Sequence, residues 1–170
     1  MFSVRMKKRE CTDEAKIETF LKSAQTGFLG LSDGEGPYVV PLNFVWSKDR
    51  NAFYFHGAEE GRKMTMMQNN SQACLTLAEA YGTIPHPVPA HTDTAYMSVI
   101  VFGKMEEVND LDEATDAMQA MLDKYVPGYY NTPLAKSHVE RYRSSMGSRT
   151  AVFKLIAESR TAKENEDQTI

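Results

Sequence analysis

The chain has 170 residues, 42% of them hydrophobic, with a formal net charge of −4; that suffices for one domain with a real core and is short for two. Lysines and arginines are scattered among acidic residues with no continuous basic stripe, which argues against nucleic-acid binding. Mean hydropathy is negative, no apolar run approaches ~18 residues, and the charged start (Arg5, Lys7, Lys8, Arg9, Glu10) has no apolar block after it. A cytosolic protein without membrane span or signal peptide is therefore expected.

Thr12 is placed to cap a helix with Asp13 and Glu14 in its first turn and Ile17, Phe20, Leu21 and Ala24 on one face, ending near Thr26-Gly27. A short strand over Phe28 to Leu31, the turn Asp33-Gly34-Glu35-Gly36-Pro37 and an extended run from Tyr38 to Trp46 read as a β-hairpin. A second turn, Ser47 to Asn51, leads to the aromatic strand Ala52 to His56. Three strands before any long helix predict an antiparallel sheet.

A short helix follows over Gly61 to Gln68, then a strand near Ala73 to Glu79 and a loop with Pro85, Pro87 and Pro89. Thr94 to Val108 is long for one strand, and Gly103 within it suggests a bulge or a close backbone approach. Asp110 with Glu113 starts a helix over Leu111 to Tyr125, Thr132-Pro133 starts another, and a last strand spans roughly Thr150 to Ile156. A single domain over residues 1–158 with a polar, disordered tail over 159–170 is expected.

Cys11 and Cys74 make neither a disulfide framework nor a paired-cysteine metal motif. Gly30-Leu31-Ser32-Asp33-Gly34 matches G-x-S-x-G, but a turn and a strand follow where a nucleophile elbow needs a helix, so Ser32 is not a nucleophile. His56, His86, His91 and His138 have no zinc-ligand spacing, and no metal site is predicted. The stretch Tyr54-Phe55-His56-Gly57-Ala58-Glu59-Glu60-Gly61-Arg62-Lys63 is more informative: a strand ends in small residues and runs into two cations at a helix start, an arrangement that suits a phosphate or an ordinary charged surface. Glu59 and Glu60 would repel an anion unless they face solvent or form salt bridges. In Pro37-Tyr38-Val39-Val40-Pro41-Leu42-Asn43, Pro41 marks an edge or bulge, where free backbone groups could bond the rim of a flat ring while Val39 and Leu42 pack on its faces.

Taken in order, Pro37 to Asn43, Tyr54 to Ala58, Gly61-Arg62-Lys63, His91 to Tyr96, Ser98 to Gly103 and Asp123 to Gly128 resemble the FMN-binding split barrels of the pyridoxamine-phosphate-oxidase-like superfamily, and within it the nitroimidazole-resistance (Nim-like) branch. The resemblance spans roughly Val4 to Glu164. It implies a split β-barrel of mainly antiparallel strands with flanking helices, forming a homodimer with FMN at the subunit interface. By the same resemblance Tyr38, Val39, Val40, Pro41, Leu42 and Asn43 lie along the flavin ring, and His56 and Gly57 adjoin the ring and ribityl chain. Arg62 and Lys63 take the phosphate, and Ser98 is a further cofactor contact. His56 is the candidate catalytic residue, as a proton source or as a plain flavin contact.

The expected activity is an FMN-dependent oxidoreductase carrying electrons from a nicotinamide donor to a small acceptor such as a nitro compound. The same residues would equally serve a non-catalytic flavin-binding or sensing protein, and related split barrels hold haem or a deazaflavin instead. The Trp-x-Arg signature near the C-terminus of the vitamin-forming oxidases is missing, since the lone tryptophan is Trp46.

Overall fold

Residues 3–34, 36–143, 147 and 149–166 are described by the computed structural model. Asp13, not Thr12, caps the first helix, α1 (Glu14–Ser23): its carboxylate accepts from the backbone N–H groups of Ala15 and Lys16 at 3.0 and 3.1 Å. A carboxylate satisfies two orphan donors at once and suits the positive helix end. Strands β1 (Gly27–Ser32) and β2 (Pro37–Leu42) form the first hairpin. Glu35 of its expected turn lies outside the described residues.

The extended run to Trp46 is interrupted: β2 stops at Leu42, and β3 (Val45–Ser47) starts after Asn43 and Phe44 and pairs with β4 (Ala52–Ala58). Then come α2 (Arg62–Asn69), β5 (Gln72–Ile84), β6 (Asp93–Glu107), α3 (Leu111–Tyr125), α4 (Lys136–Glu140) and β7 (Thr150–Asn165). Asp110 caps α3 by accepting from the Glu113 N–H at 2.7 Å. The last helix begins at Lys136 rather than at Thr132-Pro133, because the Gln119 side chain takes the Leu134 N–H (2.7 Å) and ties the preceding segment to α3.

The expected disordered tail is corrected for residues 159–165: β7 runs on to Asn165, with Ser159 to Asn165 paired to Phe102 through Tyr96 of β6. Its charges are matched, since Lys16 bridges Glu164 and Glu166 and Arg160 engages Glu14. Residues 167–170 of that tail lie outside the described residues.

All pairings are antiparallel, in the order β2-β1-β5-β6-β7-β4-β3. β2 and β3 sit at opposite edges of this sheet, yet only Asn43 and Phe44 separate them. Two residues reach about 10 Å at most, so the sheet must curl until its edges meet, and the result is a split barrel. The register shifts between Phe102 and Gly103, where a Cβ would overlap the carbonyl oxygen of Ile156; only glycine permits that approach of β6 to β7.

Leu29, Phe44, Phe53, Phe55, Leu75, Leu77, Val99, Val101, Phe153 and Leu155 fill the barrel, all fully buried. Each contributes about 1.5–3 kcal/mol by burial. Phe20 and Leu21 of α1 close one side, and Met64 and Met66 of α2 join the same cluster. A smaller cluster, Ala52, Tyr54, Ala114, Ala117, Met118 and Val152, forms outside the barrel where α3 lies against β4 and β7. Among the described residues no helix is long and apolar enough to cross a membrane.

Candidate functional site

Strand β4 alternates faces, as any strand must. Phe53 and Phe55 point into the barrel, and Ala52 and Tyr54 point to the outer cluster. His56 follows Tyr54 on the outer side, with Val152 as its cross-strand partner, while Gly57 falls on the inner side opposite Ala151. Gly61 then turns the chain with φ +115°, a left-handed backbone that favours glycine. It caps α2 without a side-chain hydrogen bond, so Arg62 and Lys63 open a helix whose first turn has no side-chain acceptor.

Lys63 folds back over the end of the barrel. Its Nζ lies 4.8 Å from the Phe153 ring centre and 2.5 Å from the position a Cβ on Gly57 would take. Burial holds the Lys63 ammonium below the usual lysine range. The exposed Arg62 guanidinium rests 4.9 Å over the ring of Tyr38, linking α2 to β2 across the split. Among the described residues no ion pair engages Arg62 or Lys63. Glu59 turns away to Arg149 at 3.4 Å, and Glu60 is exposed. Beside this cation pair, His56 Nδ1 is buried and has no hydrogen-bond partner. Burial, and then the charge of Lys63, push the imidazole below the ordinary histidine range, so it is neutral at pH 7.

β2 pairs only with β1, which leaves its other edge without a neighbouring strand. Its residues alternate: Tyr38, Val40 and Leu42 pack against the barrel core, whereas Pro37, Val39 and Pro41 face outward, Val39 being 61% exposed. Val39 and Leu42 therefore stand on opposite faces and cannot both lie against one side of a flat ring, since an odd separation along a strand reverses the side chain. The register that pairs Val45 with Tyr54, carried two residues further, leads Asn43 toward His56.

The end of α3 fixes this junction. The Tyr125 hydroxyl accepts from the Phe44 N–H (3.0 Å) and donates to the Gln25 carbonyl (2.7 Å). The Lys124 ammonium donates to the carbonyls of Ala24 (2.7 Å) and Phe44 (3.0 Å) and lies 3.8 Å over the Phe44 ring; burial lowers its pKa to about 8. In the sequence Lys124-Tyr125 stand only as part of the Asp123 to Gly128 motif, with no role of their own. Basic residues in a last helical turn ordinarily serve their own helix, and only the fold brings them to another strand's carbonyls.

Ser98 is not part of this cluster. It pairs with Lys163 on β7, whereas His56 pairs with Val152, eleven residues away along the same strand, or roughly 36 Å of extended chain. Tyr38, His56, Gly57, Arg62 and Lys63 are thus brought together, and Ser98 faces outward elsewhere on the barrel. Two larger cavities, of 830 and 390 Å³, are lined by other residues. Among the described residues no group of three or more His, Cys, Asp or Glu side chains could hold a metal ion. The β4–α2 turn thus gathers two cations without an ion pair among the described residues, helix N–H groups and a neutral imidazole with an unpartnered buried nitrogen, an arrangement whose chemistry suits an anion.

The sequence matches the pyridoxamine 5′-phosphate oxidase family over residues 13–164. No curated protein matches it. A solved structure of a candidate 5-nitroimidazole antibiotic resistance protein from Bacteroides thetaiotaomicron is 25% identical, with a TM-score of 0.71, covering 91% of this chain and 85% of that one. The flavocytochrome Anf3 from Azotobacter vinelandii superposes with a TM-score of 0.79 at 19% identity, covering 97% and 73% of the two chains. An FAD- and haem-binding protein from Mycobacterium smegmatis does so at 0.74 and 15%, covering 94% and 74%. At such identities the last two speak for the fold alone, and that fold is the split barrel described above.

Proposed function

We propose that this chain, which belongs to the pyridoxamine 5′-phosphate oxidase family, binds FMN at the β4–α2 turn and passes electrons from a nicotinamide donor to a small organic acceptor. The observation that carries the proposal is the pair of uncommitted cations beside a buried, unpartnered His56 Nδ1. A buried polar atom without a partner costs about 1–3 kcal/mol, and a ligand that bonds it removes that cost. Bound FMN supplies the redox chemistry.

The chain's own residues have distinct tasks in this reading. Arg62 and Lys63 hold the phosphate with the first-turn N–H groups of α2, and Gly57 leaves room for Lys63 to reach it. The free edge of β2 from Tyr38 to Asn43, with Val39, Val40, Pro41 and Leu42 between, presents backbone donors and acceptors to the ring. His56, neutral at pH 7, is able to bond the ring or to take up a proton at Nδ1. The role named for the Bacteroides relative supports a nitro compound as acceptor.

A homodimer completes the site. Ser98 lies too far from His56 to touch the same cofactor within one chain, so it serves the site of a second copy. Phe28, Val39 and Phe102, each more than 40% exposed, lie on the outward side of β1, its neighbour β2 and, across β5, β6, and offer an apolar contact between copies. The dimer is read as cytosolic.

The test is an absorption spectrum of the purified protein before and after adding FMN, alongside Arg62→Ala and Lys63→Met variants. Bands near ~375 and ~450 nm that both substitutions diminish are expected, together with nicotinamide-dependent reduction of a nitroaromatic and a dimer by light scattering. A haem Soret band, or FMN uptake indifferent to both substitutions, overturns the cofactor assignment. Bound FMN without turnover overturns the enzymatic one.

A further inference from the structure

The outer hydrophobic cluster is incompletely filled. Between α3, α4 and β7 it opens into a cavity of 390 Å³, within the range of small-molecule pockets and suited to one or two fused rings. Its floor is Met118 and Val152, both buried, and Leu122 and Val139 form walls. Tyr130 and Tyr142, 58% and 43% exposed, stand at the rim with His138.

Three properties define the occupant. Among the described residues no Asp, Glu, Lys or Arg lines the cavity, so a charged ligand would be desolvated without compensation. The lining instead offers aromatic edges and a thioether, which favour contact with a flat ring; Tyr129 packs edge-on against Tyr130 at 5.0 Å and orients it. Hydroxyls of Tyr130, Tyr142 and Thr150 supply a few hydrogen bonds for one polar substituent. A largely apolar lining of this kind favours an aromatic molecule over water.

We propose that this cavity is a second binding site, separate from the β4–α2 turn, for a neutral, planar organic molecule of one or two rings. Its floor residue Val152 is the cross-strand partner of His56 and Thr150 that of Ala58, so the ligand sits one strand away from the candidate cofactor site.

The test titrates the full chain with 2-naphthol, followed by the fluorescence of the probe, and with naphthalene-2-carboxylate, which has the same rings and a charge. Saturable binding of one 2-naphthol per chain is expected, with the carboxylate at least tenfold weaker. Leu122→Trp and Val139→Phe fill the cavity from two sides, and each lowers 2-naphthol affinity at least tenfold while the far-UV circular dichroism stays that of the wild type. Saturating FMN leaves 2-naphthol bound. Unsaturable binding, equal affinity for the carboxylate, displacement by FMN, or undiminished binding to a folded, filled variant each overturns the proposal. If neither variant folds, the comparison of the two probes decides. A protein that fails to bind FMN still gives a complete answer, because the proposal does not depend on the cofactor.

Discussion

Replacing Gly57 by alanine tests the phosphate anchor without touching either cation. The added methyl would stand 2.5 Å from Lys63 Nζ and 3.6 Å from Phe153 Cε1. A comfortable contact needs ~3.5–4.0 Å, so the ammonium must retreat by about 1 Å or more, and being the free end of a long side chain it can. Gly57 has no positive φ and pairs regularly with Ala151, so the backbone accepts alanine, and the loss of unfolded-chain freedom offsets the crowding by about 0.4–1 kcal/mol. Folding stability should therefore change little. A charge-assisted hydrogen bond to phosphate is worth about 1.5–3 kcal/mol, which makes the expected loss of FMN affinity roughly 10- to 150-fold. Flavin-fluorescence titration measures the affinity, and thermal melting of the apo form checks the fold. A folded variant that binds FMN like the wild type would refute the placement of the phosphate at Lys63.

His56 should titrate below the ordinary value of about 6.5 in the apo protein, followed by its imidazole proton signals. Lys63→Met raises that midpoint only partly, since burial, the larger cause, remains; a wild-type midpoint at or above the ordinary value contradicts the buried geometry. Because the folded-state value is depressed, the neutral imidazole's contribution to stability is intact above the unfolded value and is lost as pH falls from there through the folded one. His56→Gln should flatten that segment of the stability profile. Lys124→Met strands the Ala24 carbonyl and leaves the Phe44 carbonyl with the Tyr125 hydroxyl alone, at 3.1 Å; it is expected to cost about 1–3 kcal/mol in urea unfolding and to weaken FMN binding by loosening the β2–β3 junction, and unchanged values for both would remove the clamp. Deleting residues 159–170 removes half of β7 and the buried Ala162, so the truncated chain should fail to give a cooperative melt, and a cooperative melt near the wild-type midpoint would disprove the strand's structural role.

Local chemistry wrote most of the elements into the chain. Asp110 caps a helix wherever an apolar stripe follows, while the Glu113 carboxylate, expected to complete the cap, is taken by Tyr54 and Lys154; β6 was readable from Thr94 onward, including the irregularity at Gly103, because a glycine inside such an apolar run marks a bulge or a close approach. The errors came from partners distant in sequence. Ser159 to Asn165 look like solvent-exposed tail by composition, and become strand because β6 is long enough to pair with them and Lys16 neutralises Glu164 and Glu166. The break at Asn43 and Phe44 follows from barrel closure, which no window of residues contains.

The candidate site divides along the same line. Gly61-Arg62-Lys63 after a strand ending in His56-Gly57-Ala58 is contiguous, so two cations at a helix start could be read from spacing alone, and spacing left a phosphate site and an ordinary charged surface both open. What spacing could not convey is why those cations are free. Glu59 and Glu60, adjacent in sequence, would seem to quench them, yet Glu59 is drawn to Arg149, its cross-strand neighbour at the end of the β4–β7 pair, and Lys63 is turned inward over Phe153, where among the described residues it has no ion pair. Under the proposed phosphate site, Arg149→Ala, which frees Glu59 to approach Lys63, should weaken an anion at this turn, measured as FMN affinity; unchanged affinity would show that the Glu59–Arg149 pair does not matter to it.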